Sequence, residues 1–252
     1  MLAIERRNAI IARLNMDGKV IVTDLAQEFD VTEETIRRDL EKLDKEGVAK
    51  KTYGGAVANK SLNVDLPSSV RKRTNVELKQ RIAENISAMI HDGDYVMLDA
   101  SSTAVYVAKC IKQKKNITLI TNSVEILCEL ADKDGWNVLS TGGTLKTGAL
   151  ALVGGTAEKM VRSFHVDIAV CSSKGIDISM GITDSNEKDA LMKQAIFSSA
   201  ERRVLAIDST KFDRIAFTKV CDVGDVDMIV TDQKPDDRWI GFIEEKGAEL
   251  VY

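Results

Sequence analysis

The sequence has little of what disordered, fibrous or membrane-spanning chains are rich in. Only two of its 252 residues are Pro, and no apolar run approaches the roughly 20 residues that a membrane helix needs. Its start, MLAIERRNAI, lacks a long apolar stretch followed by a small-residue cleavage site. With 44% hydrophobic and 29% charged residues, the composition is typical of a globular chain. We therefore expect a cytoplasmic protein that contacts no membrane and has one large domain or two unequal ones.

Cysteine and histidine are also scarce. The four cysteines lie tens of residues apart without a C-x-x-C pair, at Cys110, Cys128, Cys171 and Cys221. This spacing indicates neither a disulfide framework nor a zinc site, and we expect buried thiols. With only two histidines, His91 and His165, a histidine-rich metal site or a long proton relay is not predicted. We expect no metal and no cofactor.

An excess of positive charge is missing as well. The chain has a net charge of −4, and residues 1–60 contain eleven Lys or Arg and eleven Asp or Glu, a net charge of zero. Composition alone therefore does not predict a nucleic-acid partner. Any such contact in this region must depend on how the charges are arranged.

Residues 1–56 predict three short helices and a hairpin, because apolar residues recur three times at helical spacing before a Gly-bounded strand pattern begins. The first helix is lined by Ile4, Ile10, Ile11 and Leu14. Thr23 is expected to cap the second helix, and Thr32 the third. In the third helix, Ile36, Leu40 and Leu43 sit at i, i+4 and i+7, so they should face the other two helices.

The third helix and the hairpin after it predict a winged helix-turn-helix, whose second helix fits the major groove of double-stranded DNA. Arg37 and Arg38 lie on the predicted solvent face of this helix, and Lys50 and Lys51 lie in the hairpin, or wing. Taken alone, the two arginines are better explained as a solvated helix face, but the full order of cap, turn, periodic helix and basic wing favours DNA binding. The residues expected to contact DNA are Thr32, Glu34, Thr35, Arg37, Arg38, Lys42, Lys50, Lys51 and Tyr53.

A stretch without periodicity separates this module from the rest of the chain. It holds Asn59, Asn63 and Pro67 and is followed by the basic run Arg71–Arg73, which either touches phosphate or keeps the stretch hydrated. We expect a DNA-binding domain over residues 1–57, a linker over 58–73 and a second domain over 74–252.

The second domain alternates helical segments with short strand-forming runs, which predicts βαβ units and a Rossmann-like α/β domain with a largely parallel sheet. The predicted strands are Tyr95–Leu98, Ile117–Ile120, Trp136–Leu139, Val166–Cys171, Val204–Ile207, Met228–Val230 and Leu250–Tyr252.

Five of these strands are followed by loops rich in hydroxyl groups, glycine and lysine. Ligands of open α/β sheets bind beyond the carboxyl ends of the strands, and this lining suits a phosphate on a polyhydroxylated body. Any single Ser or Thr here is better explained as a helix cap, but five such loops favour a phosphosugar site. Its expected residues are Asp99, Ser101, Ser102, Thr103, Thr121, Asn122, Ser123, Thr141, Gly142, Gly143, Lys174, Gly175, Asp177, Glu187 and Lys211.

Enzyme signatures are mostly absent. There is no G-x-S-x-G or G-x-G-x-x-G, and the nearest match to a P-loop, Gly143–Gly148, continues into Ala149-Leu150 instead of Lys-Ser/Thr. Asp177, Glu187 and Lys211 are an acid–base set for an aldose–ketose isomerisation, or they only hydrogen-bond sugar hydroxyl groups. We predict no catalytic site, with a phosphosugar isomerase or transferase as the alternative.

The chain resembles the DeoR family of bacterial sugar-metabolism regulators over nearly its whole length. The segment VTEETIRRDL at Val31–Leu40, continued by Leu43, Gly47 and Gly54-Gly55-Ala56, is similar to the family's recognition helix and wing. The second-domain segments similar to the family's effector domain are Asp99 with Ser102-Thr103, Thr121-Asn122-Ser123, Thr141-Gly142-Gly143, Gly175-Ile176-Asp177, Gly181-Ile182-Thr183, Asn186-Glu187 and Asp208–Phe212.

The resemblance implies a fold related to ribose-5-phosphate isomerase and CoA-transferases. It also implies a repressor that leaves its DNA operator when a small phosphorylated sugar or polyol binds. Ser101-Ser102, Lys174, Lys51 and Tyr53 depart from the family's usual residues, so the effector and the operator are not implied. We expect a homo-oligomer, a dimer or tetramer, because pairing two modules doubles the contacts with a repeated operator.

Overall fold

A computed structural model describes residues 1–59 and 66–252. The chain forms two compact units, Met1–Thr74 and Asn75–Tyr252, and we treat each by itself. None of the helices in the described ranges is long and apolar enough to cross a membrane.

The N-terminal unit contains helices and a small antiparallel sheet. Its helices are α1 (Ala3–Asp17), α2 (Val22–Glu28), α3 (Glu33–Lys45) and α4 (Ser68–Arg71). Its strands are β1 (Lys19–Ile21), β2 (Ala49–Thr52) and β3 (Gly55–Ala58), in the order β1-β3-β2. Because β1 joins the β2–β3 hairpin, the hairpin is held against the helices and forms the wing that the sequence predicted.

The three predicted helices of this unit are present and share one core. Ile10, Leu14, Ile36, Leu40 and Leu43 are all buried there, as the apolar spacing predicted. Burying each of these side chains contributes about 1.5–3 kcal/mol relative to leaving it exposed.

Two local predictions in this unit were wrong. Thr23 lies inside α2, which begins at Val22 after the extended residue Ile21, so Thr23 is not the cap. Ile4 is exposed and does not line the core face of α1.

The predicted linker is partly folded. Residues 60–65, which lie within it, are outside the described ranges, whereas Ser68–Arg71 form α4 and Val70 is buried in the N-terminal core. The compact N-terminal unit accordingly extends to Thr74. Pro67 precedes the first residue of α4, where the missing N–H of proline costs no helical hydrogen bond. The Pro-Ser-Ser run that suggested a loop is thus the start of a short helix.

The C-terminal unit is an α/β domain. Its helices are α5 (Val76–Met89), α6 (Ser102–Cys110), α7 (Val124–Glu129), α8 (Gly155–Val161), α9 (Glu187–Phe197) and α10 (Asp237–Glu245), with 3-10 turns at Ser209–Lys211 and Val223–Asp225. Its strands are β4 (Tyr95–Leu98), β5 (Thr118–Thr121), β6 (Asn137–Ser140), β7 (Thr144–Lys146), β8 (Ala151–Val153), β9 (Val166–Cys171), β10 (Gly175–Asp177), β11 (Gly181–Asp184), β12 (Ala200–Ala206), β13 (Thr218–Cys221), β14 (Met228–Val230) and β15 (Glu249–Val251).

The main sheet of this unit is parallel and has seven strands within the described residues, in the order β15-β14-β12-β9-β4-β5-β6. Two apolar clusters cover it. One includes Val96, Leu98 and Ile86, and the other includes Met97, Ala169 and Ile196. Since Val96, Met97 and Leu98 alternate between the clusters, the two clusters lie on opposite faces of the sheet. The Rossmann-like α/β prediction is confirmed.

The sequence predicted all seven strands of the parallel sheet but not the antiparallel additions. These form a β7–β8 hairpin and a sheet in the order β10-β11-β13. The missed strands are only three or four residues long, and β10 and β11 contain Gly and Asp, residues that are depleted in strands.

The expectation of four buried thiols was also wrong. Cys171 is buried, Cys110 and Cys221 are half-buried, and Cys128 is exposed. Cys128 lies in the last turn of α7, where Ile126 is the buried residue.

Candidate functional site

The N-terminal unit presents α3 and the wing as one accessible surface. The side chains on it vary in exposure, but all reach solvent. Thr35 is half-buried, and the other expected DNA-contacting residues are exposed, namely Thr32, Glu34, Arg37, Arg38, Lys42, Lys50, Lys51 and Tyr53. We call this set the reading surface.

The start of α3 is fixed by the cap that the sequence predicted. Thr32 Oγ1 accepts a hydrogen bond from the backbone N–H of Thr35 at 3.3 Å, and the two threonine hydroxyl groups lie 2.9 Å apart. Glu33 and Glu34 occupy the first turn, where the helix dipole favours negative charge. The first turn of the helix is therefore well defined before any ligand arrives.

Both arginines of the reading surface are paired within their own helix. Arg37 Nη2 lies 2.5 Å from Glu33 Oε2, and Arg38 Nε lies 3.2 Å from Glu34 Oε1. Each partner is one turn toward the N-terminus. In the free chain, Arg37 and Arg38 are therefore both solvated and ion-paired on the helix face and part of the surface that is expected to contact DNA.

Asp39 holds α3 against α1, which the sequence analysis missed. Its buried carboxylate pairs with Arg6 Nε at 2.6 Å and with Arg7 Nη1 at 3.2 Å. Asp39 falls on the buried stripe of α3 between Ile36 and Leu43. A charged residue on an apolar stripe is the signal that this ion pair offered to sequence reading.

The wing carries exposed cationic and aromatic groups. Lys50 and Lys51 lie on β2, and Tyr53 is fully exposed at the tip. Gly54 has φ +88°, which favours glycine, and a Cβ on Gly55 would lie 2.1 Å from the carbonyl oxygen of Val20. The two glycines are thus required by the tight turn and by the approach of the wing to β1.

The C-terminal unit has its topological switch point between β4 and β9. β4 is followed along the chain by β5 on one side, whereas β9 continues into β12 on the other, so their loops separate there. Asp99 follows β4, and its carboxylate accepts the backbone N–H of Ser101 at 3.0 Å and that of Ser172, after β9, at 3.1 Å. One buried side chain therefore bridges both loops.

A cluster of buried and half-buried charges adjoins Asp99. Lys193 of α9 is ion-paired with Asp184 at the end of β11, and its Nζ lies 3.6 Å from Asp99 Oδ2. One turn before Lys193, Asp189 accepts Lys146 Nζ from the β7–β8 hairpin at 2.7 Å. We call Asp99, Lys146, Asp184, Asp189 and Lys193 the edge cluster.

The electrostatics of the edge cluster are set by burial and by mutual pairing. Burial raises the pKa of Asp99, although nearby Lys193 opposes it. Burial would lower the pKa of Lys193, but Asp184, Asp99 and Asp189 together raise it. Burial also works to raise the pKa of Asp189, but Lys193 and Lys146 lower it overall. Lys193 therefore stays charged and holds the aspartates together.

The β7–β8 hairpin lies beside the edge cluster and is tied to the loop after β5. Ala149, Ala151 and Val153 pack against Ala100, next to Asp99. Asn122 Nδ2 donates to the carbonyl oxygen of Leu152 at 3.0 Å, and Asn122 Oδ1 is buried without a hydrogen-bond partner in the described structure. An unpaired buried acceptor of this kind is suited to a hydroxyl donor from a ligand.

Several hydroxyl groups of the expected site serve the local fold. Ser101 Oγ caps α6, and Ser123 Oγ caps α7. Thr121 Oγ1 donates to the carbonyl oxygen of Leu98. The hydroxyl groups of Ser102 and Thr103, at the start of α6, are not used in these caps, although both residues are buried.

The glycines of the expected site act through their backbone. Thr141 is buried beside them, and Gly142 and Gly143 have φ +60° and +100°. A Cβ on Gly143 would lie 2.8 Å from the carbonyl oxygen of Val153, and one on Gly175 would lie 2.2 Å from that of Arg214. Lys174, half-buried, donates its backbone N–H to the carbonyl oxygen of Thr183.

Three expected residues are not joined to the edge cluster. Asp177 accepts hydrogen bonds from Ser179 and Met180 and closes the β10–β11 turn, Glu187 is exposed, and Lys211 lies in the turn after β12. Among the described residues, none of the three has a hydrogen bond or ion pair with the cluster. No hydrogen bond or ion pair joins any two of the three within the described residues.

The residues that are assembled include four that the sequence analysis did not select, Lys146, Asp184, Asp189 and Lys193. The signal for two of them was present: Asp189 and Lys193 are four residues apart, so they lie on one face of α9. Asp184 and Lys146 reach the cluster through strands that the sequence did not predict. Within the described residues, no three or more His, Cys, Asp or Glu side chains are placed so that they could hold a metal ion.

Comparison with protein families identifies both units. A DeoR-like helix-turn-helix domain matches residues 6–62, and a DeoR C-terminal sensor domain matches residues 74–233. Together the two matches include the reading surface and the edge cluster.

Relatives align over nearly the whole chain. The HTH-type transcriptional regulator YulB of Bacillus subtilis is 37% identical over 251 residues, covering 100% of this chain and 97% of that protein. The putative aga operon transcriptional repressor of Escherichia coli O157:H7 is 31% identical, covering 98% and 93%. The L-fucose operon activator of Haemophilus influenzae is 32% identical, covering 98% of both.

Among solved structures, ribose 5-phosphate isomerase A from Neisseria gonorrhoeae aligns with a TM-score of 0.41 and 16% identity, over 55% of this chain and 54% of that one.

Proposed function

This chain belongs to the DeoR family of transcriptional regulators, and from that membership we propose that it represses a sugar-metabolism operon until a phosphorylated sugar binds the edge cluster. The observation that carries the proposal is the set of paired charges around the buried Asp99 at the switch point of the sensor domain. Both repressors and an activator occur among its relatives. Repression is proposed because it needs only that the bound protein occlude DNA. Its place of action is then the cytoplasm, where the chromosome lies.

On the DNA side, α3 enters the major groove with Thr35, Arg37 and Arg38 near base edges or phosphates. Glu34 and Lys42 lie on the same helix, and Thr32 is its cap. Lys50, Lys51 and Tyr53 of the wing contact the flanking backbone. Residues 1–57 are the DNA-binding domain in this proposal and 74–252 the sensor domain, and within the stretch 58–73 between them α4 packs on the DNA-binding side.

On the effector side, the edge cluster recognises the hydroxyl groups of the ligand. Carboxylates of Asp99, Asp184 and Asp189 accept hydrogen bonds from sugar hydroxyl groups, and Asn122 Oδ1 accepts another. The phosphate lies at the N-terminus of α6, where Ser102 and Thr103 supply hydroxyl groups and backbone N–H groups. The Asp99 carboxylate accepts the Ser101 N–H at the same helix end, and the N-terminus of α6 together with Lys193 offsets its repulsion of the dianion.

Regulation requires more than one copy of the chain. A dimer or tetramer places two reading surfaces at the spacing of a repeated operator. The effector favours an arrangement with a different spacing. A ligand that binds that arrangement 10-fold better shifts the equilibrium by about 1.4 kcal/mol.

The test measures both halves of the proposal with the full chain. Fluorescence anisotropy with the DNA upstream of the chain's own gene and of neighbouring sugar-metabolism genes should give saturable binding that at least one sugar phosphate reverses. Thermal-shift measurements against a panel of sugar phosphates should identify that compound, since a ligand of the folded state raises the melting temperature. Turnover of a sugar phosphate by the protein, without an effect on DNA binding, would instead support the isomerase or transferase alternative.

A further inference from the structure

The reading surface contains a charge arrangement that the proposed function does not use. Each of the two arginines of α3 has a glutamate four residues earlier in the helix. Arg37 pairs with Glu33, and Arg38 pairs with Glu34. The pairs lie side by side at the end of the helix that the proposal places in the groove. Each pair uses one nitrogen of its guanidinium, so the carboxylate competes with DNA for that side of the arginine.

The pairs are weak enough to exchange. The side chains of Arg37 and Glu33 are 52% and 46% exposed, and those of Arg38 and Glu34 are 78% and 62% exposed. An exposed pair of this kind lowers the free fraction of its arginine by only about twofold. The glutamates thus compete with DNA for the arginines but do not hold them permanently.

The free-energy cost of separating an arginine from its glutamate is larger on DNA than in solution. When an arginine leaves its glutamate for a phosphate, the carboxylate remains one turn away and is repelled by the same phosphate. A bidentate contact with guanine recovers about 10-fold or more in affinity, whereas a single contact with a phosphate recovers less. Breaking the ion pair is therefore compensated at an operator, where a guanine contact is made, and is not fully compensated on DNA of arbitrary sequence.

We propose that Glu33 and Glu34 are specificity-determining residues that suppress binding of α3 to DNA of arbitrary sequence. This rests on the proposed DNA-binding function. Glu34 then works by competing for Arg38 and not by contacting a base. The balanced charge of residues 1–60, with eleven basic and eleven acidic side chains, fits such a filter, because no net positive charge draws this part of the chain onto DNA.

The experiment uses the full chain, a fluorescent duplex of random sequence, and a range of salt concentrations. Glu33→Gln frees Arg37 and removes one negative charge. The matched control is Glu28→Gln, which also removes one negative charge from beside an arginine, Arg13 of α1, whose Nη2 lies 3.0 Å from Glu28 Oε1 and whose Nη1 lies 3.8 Å from Asp17 Oδ2. Arg13 is outside the reading surface, so the control measures the effect of net charge alone.

A third variant separates pairing from charge. Glu33→Asp keeps the charge and the favourable interaction with the helix dipole, but its side chain is one methylene shorter and holds Arg37 less well. It also protects the test if Glu33→Gln destabilises the first turn of α3.

We expect Glu33→Gln to raise the affinity for the random duplex about fivefold and to steepen the log–log salt slope by about one. Glu33→Asp should raise the affinity about twofold with a smaller change in slope, and Glu28→Gln should stay closer to wild type than Glu33→Gln.

Two results would overturn the inference. If Glu33→Gln and Glu28→Gln are equivalent, net charge explains the effect, and if Glu33→Asp matches wild type, the ion pair has no role. Both results leave the proposed function intact, since wild type still binds DNA. Absence of duplex binding by wild type and all variants at low salt would reject the proposed function as well.

Discussion

Ion pairs between basic and acidic side chains occur at both candidate sites, but in opposite surroundings. On the reading surface, Arg37 and Glu33 are about half exposed, whereas in the edge cluster the side chains of Lys193 and Asp184 are 12% and 2% exposed. Water screens the first pair and leaves it exchangeable. In the second pair the charges have lost their water, so removing one partner leaves the other uncompensated. Ion pairs between the same kinds of groups are therefore exchangeable on the reading surface and structural in the edge cluster.

The largest effect should come from breaking the buried side of this comparison. Lys193→Met leaves Asp99 and Asp184 without their shared cation, and we expect it to destabilise the C-terminal unit by about 4 kcal/mol. Urea unfolding followed by tryptophan fluorescence measures this, since Trp136 and Trp239 both lie in that unit. The matched control is Lys211→Met, in the turn after β12, which should cost less than about 0.5 kcal/mol.

The same pair of variants also tests the placement of the effector. If a sugar phosphate has been found that raises the melting temperature, Lys193→Met should lose that response and Lys211→Met should keep it. The reverse result would move the effector from the edge cluster to the turn at Lys211.

The next largest effect should come from the buried ion pair of the N-terminal unit. Asp39→Asn leaves Arg6 buried without its carboxylate, and we expect a loss of about 3 kcal/mol in the stability of that unit. Hydrogen exchange of the α1 and α3 amides reports on this unit separately. Unchanged protection of these amides would show that the Arg6–Asp39 pair does not hold the two helices together.

A smaller effect should appear in the pH dependence of the C-terminal unit. Because the pKa of Asp189 is lowered in the folded chain, its contribution to stability is present above its unfolded pKa and is lost as pH falls through the folded pKa. The raised pKa of Lys193 gives a contribution that is complete below its unfolded pKa and is lost only as pH rises into the strongly alkaline range.

We therefore expect Asp189→Asn to flatten the acid limb of a plot of melting temperature against pH, with little change in shape near neutrality. Asp237→Asn, at an exposed position in α10, is the control and should follow wild type. An acid limb that is equally steep in both variants would mean that other carboxylates account for it.

The smallest effect on stability should come from the exposed side of the comparison. Glu33→Gln is expected to change the free energy of unfolding by less than about 0.5 kcal/mol, because the exposed pair with Arg37 contributes little. Urea unfolding of the full chain tests this against Asp39→Asn, six residues away in the same helix. A cost near that of Asp39→Asn would contradict the contrast drawn between exposed and buried pairs.

The sequence predicted the elements whose side chains repeat with a regular period. Ile36, Leu40 and Leu43 marked the buried face of α3, and the apolar runs marked every strand of the parallel sheet. Their pattern follows from burial, which acts on each element by itself. The loops after these strands were also predicted to share one edge, since all the strands are parallel.

The edge cluster could not be predicted in the same way, because its members come from separate elements and have no common period. Lys146 reaches Asp189 from a hairpin, and Asp184 ends a strand that was not recognised. Asp177 was selected for its chemistry, but the short turn after β10 recruits its carboxylate for three local hydrogen bonds. Residue type indicated which groups were present, and only the fold decided which of them meet.

The two arginines that grip Asp39 have a mechanical consequence for control of the N-terminal unit. Since α1 and α3 are clamped through a buried carboxylate, tilting one of them alone would strand a charge away from water. A signal that reaches this unit must therefore move α1 and α3 together, as one rigid body. DNA binding would then be regulated by the position and orientation of this unit. The packing of α1 against α3 would be the same in the DNA-binding and the non-binding states.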